Sequence, residues 1–198
     1  MLGRDYFAIA LGFVLILGSD VHGQSAPVRP RPPAIKNRDW IQIPFDTFVL
    51  HGWESTGKEA PAEADRTALL QKLTLGIAGR PATGAEIDKF VKARTKRAYE
   101  KEVDRLLDLP GFEERFAAVA QKIRKDDPRS AREAAAACWR RLNGRSLENA
   151  AALEWLACEL IDPTLVNCCE LDRPLPDSWE VKHLVRAIVV SATYRCEP

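Results

Sequence analysis

Ala64-Asp65-Arg66-Thr67-Ala68-Leu69-Leu70-Gln71-Lys72-Leu73-Thr74-Leu75-Gly76-Ile77-Ala78-Gly79-Arg80-Pro81-Ala82-Thr83-Gly84-Ala85-Glu86-Ile87-Asp88-Lys89-Phe90-Val91 decides the fold of this 198-residue chain. Its apolar residues recur at three and four, so that Leu69, Leu70, Leu73 and Ile77 share one face of a helix. Asp65 stands at the N-cap position, and Gly79 and Pro81 stop the helix. Thr83 and Glu86 follow at capping-box spacing, with Ile87, Phe90 and Val91 on the face of the next helix. The period does not fall to two, and the body reads as all-α.

The same spacing extends in both directions. Upstream, Phe45, Phe48, Val49 and Trp53 form one face. Downstream, Tyr99, Val103, Leu106 and Leu107 give a helix closed by Pro110, and Phe112, Phe116, Val119, Ala120 and Ile123 give another. Asp127-Pro128 reads as an N-cap with proline in the first turn, leading through Ala134–Ala137, Trp139 and Leu142 to a left-handed stop at Asn143-Gly144. Ser146 opens a helix through Leu153, Leu156 and Leu160, closed by Pro163. Residues 163–177 read as a loop. A last helix starts near Asp177 or Ser178 and carries Val181, Leu184, Val185 and Ile188; its Ile188-Val189-Val190 run is β-branched, but the preceding 3–4 spacing keeps it helical. The expectation is about seven helices in an irregular bundle, with one helical region over 40–126 and a second over 127–198.

Composition bounds the function. The chain is 46% hydrophobic and 29% charged, with a formal net charge of +1. That balance excludes a nucleic-acid binder driven by bulk charge and an extended disordered tail. The length suffices to bury a core without metal or disulfide staples.

Residues 1–23 read as a secretory signal peptide. Arg4 supplies a positive start, Tyr6 to Leu17 an apolar core interrupted by Gly12, and Val21-His22-Gly23 a small-residue cleavage site before Gln24. The apolar run of about 12 residues falls short of the roughly 20 that span a bilayer as a helix, which disfavours the alternative of an uncleaved anchor. No membrane span is expected after cleavage. Residues 24–39 follow as a proline-rich linker: Pro27, Pro30, Pro32 and Pro33 favour polyproline II, a stiff spacer, with a PxxP ligand as the alternative.

In an oxidising compartment, the five cysteines (Cys138, Cys158, Cys168, Cys169 and Cys196) suggest disulfides in the last third of the chain. Cys168 or Cys169 with Cys196 is the first choice, closing about 27 residues for roughly 3 kcal/mol in the chain-entropy model. Cys138 with Cys158, across the turn at Asn143-Gly144, competes with both being small buried hydrophobes. No CxxC or CxxCH occurs, so covalent haem attachment is not encoded, and no zinc-ligand spacing is present.

The residues that invite chemistry do not assemble a known catalytic signature. His51 and His183 are isolated, with no GxSxG or HExxH beside them. Asp126-Asp127 reads as helix capping rather than an acidic pair. Glu113-Glu114-Arg115 and Asp104-Arg105 read as a solvated ionic face, with glycosidase-like carboxylates as the alternative. Trp139, Trp155 and Trp179 read as interhelical packing rather than a sugar platform. No catalytic, cofactor-binding or metal-ligating residue is assigned, and no cofactor.

A resemblance goes further than this chemistry. Ile43-Pro44-Phe45-Asp46-Thr47-Phe48-Val49-Leu50, Ala64-Asp65-Arg66 and Leu73–Thr83 resemble the start of a planctomycete family of unknown function, whose pattern runs roughly I-D-x-F-V-L, A-D-R and L-T-x-D-L-T-G-L-P-P-T. Ala98–Leu107 and Glu114-Arg115-Phe116 resemble its Y-E-x-x-V-D-R-L-L and E-R-W segments. Ser178–Arg195 resembles a second family, usually downstream, with a pattern near W-x-V-K-x-L-x-R-x-I-V-x-S-x-x-Y-R. Gly76, Arg80 and Phe116 depart from the first pattern (Asp, Leu and Trp there), residues 117–123 replace its W-L-D-x-A-R-Y stretch, and the long region between the two families is nearly absent. Both families typically occur in large exported proteins, often behind a c-type cytochrome domain. The resemblance implies a condensed exported helical module, and as partner a c-type cytochrome-bearing or other envelope protein, with no nucleic acid. Non-catalytic binding or scaffolding is the expected function, and an enzyme of exported polysaccharide breakdown or cytochrome-linked oxidation the alternative. N-terminal sequencing of the exported form should begin at Gln24; an intact Met1 on cytoplasmic protein would refute the signal.

Overall fold

The computed structural model describes residues 29–93, 95, 97–124, 127–161 and 179–196. The signal stretch 1–23, Asp126, the loop 163–177 with Cys168 and Cys169, and the anticipated start of the last helix at Asp177 or Ser178 lie outside them. Among the described residues there is no strand, and nine α-helices follow in order: α1 (Phe45–Ser55), α2 (Arg66–Ala78), α3 (Gly84–Lys92), α4 (Ala98–Leu107), α5 (Phe112–Ala120), α6 (Pro128–Asn143), α7 (Ala150–Ile161), α8 (Trp179–Val190) and α9 (Ala192–Arg195). The first eight are the helices read from periodicity, two of them with shifted ends. The four-residue α9 is an addition.

Local chemistry sets the boundaries. Asp65 caps α2 by accepting from the Thr67 and Ala68 N–H groups at 2.8 and 3.2 Å. Gly79 ends that helix at φ 68°, a left-handed conformation that costs glycine little. Thr83 and Glu86 complete the capping box of α3. Asp127 accepts from Arg129 N–H to open α6, and Gly144 closes it. Each such cap contributes about 1 kcal/mol.

Helix α5 stops at Ala120 rather than running on to Ile123, and the other shifted end has a long-range cause. Helix α7 begins at Ala150, not Ser146, because Asn149 is the cap: its Oδ1 accepts from Ala152 N–H at 2.9 Å. The Asn149 side-chain amide donates to Phe48 O of α1 at 2.9 Å, so one residue starts α7 and fixes it to α1.

The helices bury their apolar stripes in one continuous core. Helices α6 and α7 form a hairpin, with α1 packed on α7. Helix α2 carries α3, α4 and α5, and α8 runs between the two groups, touching α4, α5, α6 and α7. Its position accounts for its sequence: Val181, Leu184, Val185, Ile188 and Val189 are at most 3% exposed. Trp139 and Trp155 are buried between helices, tilted against Phe45 at 5.4 and 6.2 Å. Gly76 is a close-approach position, since a Cβ there would lie 3.2 Å from both Leu142 Cδ2 and Tyr194 Oη.

The residues just before α1 and the start of α9 meet at Asp46, which is fully buried. Oδ2 accepts from the N–H groups of Gln42, Ile43 and Ala192, and Oδ1 from the N–H and hydroxyl of Thr193, all at 2.9–3.0 Å. Ser191 Oγ takes the Tyr194 N–H at 3.2 Å. Three of the four orphan donors of α9 are thereby satisfied, which explains how so short a helix persists. Asp46→Ala would leave several buried donors unpaired and should cost at least about 3 kcal/mol. Asp46→Asn, which keeps one acceptor oxygen, should cost less. Urea midpoints for the two variants check this, and an unchanged midpoint for Asp46→Ala would remove Asp46 from its central place.

Candidate functional site

The polar residues of the motifs are consumed by internal ties. Arg66 Nη2 donates to Phe90 O and Ala93 O at 2.6 and 2.9 Å, its guanidinium lying over the Phe90 ring, and so fastens α2 to the end of α3. Tyr99 Oη donates to Val189 O at 2.7 Å, joining α4 to α8; burial pushes its hydroxyl pKa well up. Arg115 Nε donates to Ile77 O at 2.9 Å. Tyr194 Oη donates to Lys72 O, and Lys72 Nζ returns a bond to Tyr194 O at 2.8 Å. Arg195 reaches Glu63 and Gln42 and lies over Tyr99.

The chemistry-bearing residues separate. Asp104 pairs with Arg186 across α4 and α8 at 3.0 Å. Glu113 and Glu114 are exposed in the first turn of α5, while Arg115 beside them turns inward. Arg105 contacts Glu102 and Glu86. His51 is exposed, with Nδ1 3.3 Å from Ala34 O. His183 is nearly buried and sits 3.0 Å from Glu159 Oε2. His183, Asp104 and Glu114 thus have different surroundings.

Cys138 and Cys158 are buried free thiols, as the packing alternative had it. Cys196 is also a buried free thiol, its Sγ 3.2 Å from Pro61 O, and the partners expected for it, Cys168 and Cys169, lie outside the described residues. Cys196 lies where it forms an isolated antiparallel bridge with Glu63 and Ala64 N–H donates to Arg195 O at 2.9 Å. Burial raises all three thiol pKa values, which suits inert packing thiols. No group of three or more His, Cys, Asp or Glu among the described residues is arranged to hold a metal ion.

Two recesses adjoin the described N-terminal segment. One of about 190 Å³ is lined by Trp40, Gln42, Pro61, Glu63, Arg195 and Cys196. A wider one of about 360 Å³ lies between Ala34–Lys36 and His51–Ser55. The segment itself is fastened to the body: Lys36 and Asn37 N–H groups donate to the Glu54 carboxylate, and Trp40 Nε1 donates to Pro61 O at 3.1 Å. The Trp40 and Trp53 rings meet edge to face at 5.3 Å.

The most unusual electrostatic feature was not singled out from sequence. Glu159 is fully buried on α7, with Arg29 Nη1 at 2.6 Å from Oε1 and His183 Nε2 at 3.0 Å from Oε2. The signal was present, since Glu159 is the one charged residue in Trp155–Ile161. Such a carboxylate is costly without a cation. The Arg29 approach lies off the hydrogen-bonding directions: Oε1 and the Arg29 Nε and Nη2 atoms are buried without a hydrogen bond.

The arrangement defines a helical module whose motif side chains serve as internal ties. The chain belongs to the PSCyt2 family, described as a protein of unknown function (DUF1549), whose model matches residues 44–165. That span runs from the first residue before α1 to four residues past α7. No curated protein and no solved structure matches the chain.

A second ionic cluster makes a measurable contribution. Arg80 grips Glu86 with two bonds of 2.8 Å, and Thr83 N–H adds a third at 2.8 Å. Arg80 first, then Thr83, holds the Glu86 carboxyl well below the usual range, against the opposing effect of partial burial. A lowered folded-state pKa means the folded state binds fewer protons, so the stabilisation is fully present above the ordinary glutamate value of about 4.3 and is lost as pH falls below it. Glu86→Gln should therefore be less stable than wild type at neutral pH, with the gap closing in acid. Urea titrations across pH check it; a gap that persists unchanged into acid would contradict the assignment.

Proposed function

We propose that the chain is an exported helical module that acts by binding or scaffolding in an envelope or extracellular assembly, without catalysis of its own. The carrying observation is that the polar motif residues Asp46, Asp65, Arg66, Tyr99, Arg115, Tyr194 and Arg195 are engaged in internal bonds, which leaves them unavailable as reactive groups. The signal-like residues 1–23 support export, and no helix among the described residues is long and apolar enough to cross a membrane. Residues 178–195 act, in this proposal, as the helix of the downstream family, completing the core that the region matched by the family model begins. A c-type cytochrome-bearing or other envelope protein is the proposed partner.

The rival is an enzyme of polysaccharide breakdown or cytochrome-linked oxidation, favoured by one contact, His183 with Glu159. It needs the Glu159 carboxylate as a reactive group, whereas that carboxylate faces the Arg29 cation. Crosslinked pull-down from an envelope extract should recover a stoichiometric exported partner, with haem staining to read a cytochrome. A chain that stays alone and hydrolyses polysaccharide, with activity abolished in His183→Ala, would establish the enzyme instead.

A further inference from the structure

Three different recognition elements converge on the Arg29 guanidinium. Glu159, 0% exposed, supplies a buried negative charge at 2.6 Å. Trp155, four residues earlier on α7 and therefore on the same face, offers its ring at 5.0 Å from the guanidinium carbon to the ring centroid. His183 of α8 holds the other carboxylate oxygen at 3.0 Å and so orients it. A carboxylate edge beside an aromatic face is the environment that suits a flat, weakly hydrated cation better than a compact ammonium.

The present occupant meets the carboxylate through a single nitrogen. Arg29 does not form the paired parallel bonds a guanidinium makes with a carboxylate, since its Nε and Nη2 atoms are buried without partners. It is delivered by an extended segment whose nearest further attachments are exposed: Ala34 O near His51, and the Lys36 and Asn37 N–H bonds to Glu54 at 3.0–3.2 Å. Segments held by exposed hydrogen bonds open at low free-energy cost. Once lifted, the segment leaves the carboxylate between α7 and α8 without its cation.

We propose that the Glu159–Trp155–His183 recess is a guanidinium-binding site, closed in cis by Arg29 and open to an arginine side chain of a partner protein when the N-terminal strap lifts. The site deepens the binding function proposed above by naming the chemistry of the partner's contact. It is tested separately from that function, because the probe is a small molecule rather than an extract.

Chemical rescue in the full chain reads the site. Arg29→Ala should melt at a lower temperature than wild type. Methylguanidinium, at concentrations too low to denature, should restore it dose by dose and change the tryptophan fluorescence. Methylammonium at equal ionic strength should restore it less, and wild type should respond to neither. In Arg29→Ala/Glu159→Gln the rescue should vanish, because the neutral amide no longer requires a cation. Where Arg29→Ala does not fold unaided, refolding yield with and without methylguanidinium reads the same recess. No rescue, or equal rescue in the double variant, overturns the site while leaving the pull-down result to stand or fall alone.

Discussion

The Asp46 carboxylate holds together segments that the chain places far apart. Its five hydrogen bonds reach back to Gln42 and Ile43 and across to Ala192 and Thr193, about 146 positions away in sequence. Through α9 the constraint spreads. Tyr194 and Lys72 exchange bonds and tie α9 to α2, and Arg195 reaches Glu63 and stacks on Tyr99 of α4. Tyr99 in turn holds the last turn of α8 through Val189 O. One buried anion thus organises the meeting point of α1, α2, α4, α8 and α9. A carboxylate suits so many donors because both of its oxygens can accept and neither carries a competing N–H.

The helices themselves were legible because their signals are local. Apolar spacing at three and four, Asp65, the Thr83–Glu86 box, Asp127-Pro128 and Gly144 act within one or two turns, and each does what its chemistry implies. The start of α7 was displaced because Ser146 and Asn149 are both competent caps, and the choice of Asn149 depends on its contact with Phe48 across the bundle. Helix α9 was illegible for a related reason: four residues have no period, and beside the local Ser191 cap two of their N–H groups are held by the distant Asp46. Local rules specify the elements, and long-range polar contacts specify where the short ones begin.

The polar clusters were harder to read than the helices. Asp46 sits beside Phe45 and Phe48 in a motif whose residues suggested a face of α1, and nothing in that stretch indicates that its partner lies near the C-terminus. Asp104 and Arg105 look alike in sequence, yet one pairs with α8 and the other with Glu86 and Glu102. The expectation of one ionic face merged two separate contacts. Cys196 carried no local signal of its surroundings either: it is drawn into the seam with Glu63 and Pro61 by the backbone of α9, which places its thiol against Pro61 O.

Glu159 differs from Asp46 in what stability alone can explain. Asp46 satisfies backbone donors that exist whatever residue occupies position 46, so its charge repairs an unavoidable deficit. Among the described residues Glu159 meets side chains rather than backbone donors, the Arg29 cation and the His183 ring, and its Oε1 makes no hydrogen bond. An apolar residue of similar volume at 159, with its partners replaced to match, would avoid the desolvation cost of the charge and is commonly neutral or stabilising. The buried charge therefore has no basis in core packing, where Leu156 and Leu160 on either side already fill the interior. What the carboxylate adds is selectivity for a cation at one defined point between α7 and α8. That selectivity has physical meaning because the cation it now holds arrives on a separate, weakly fastened segment of the chain.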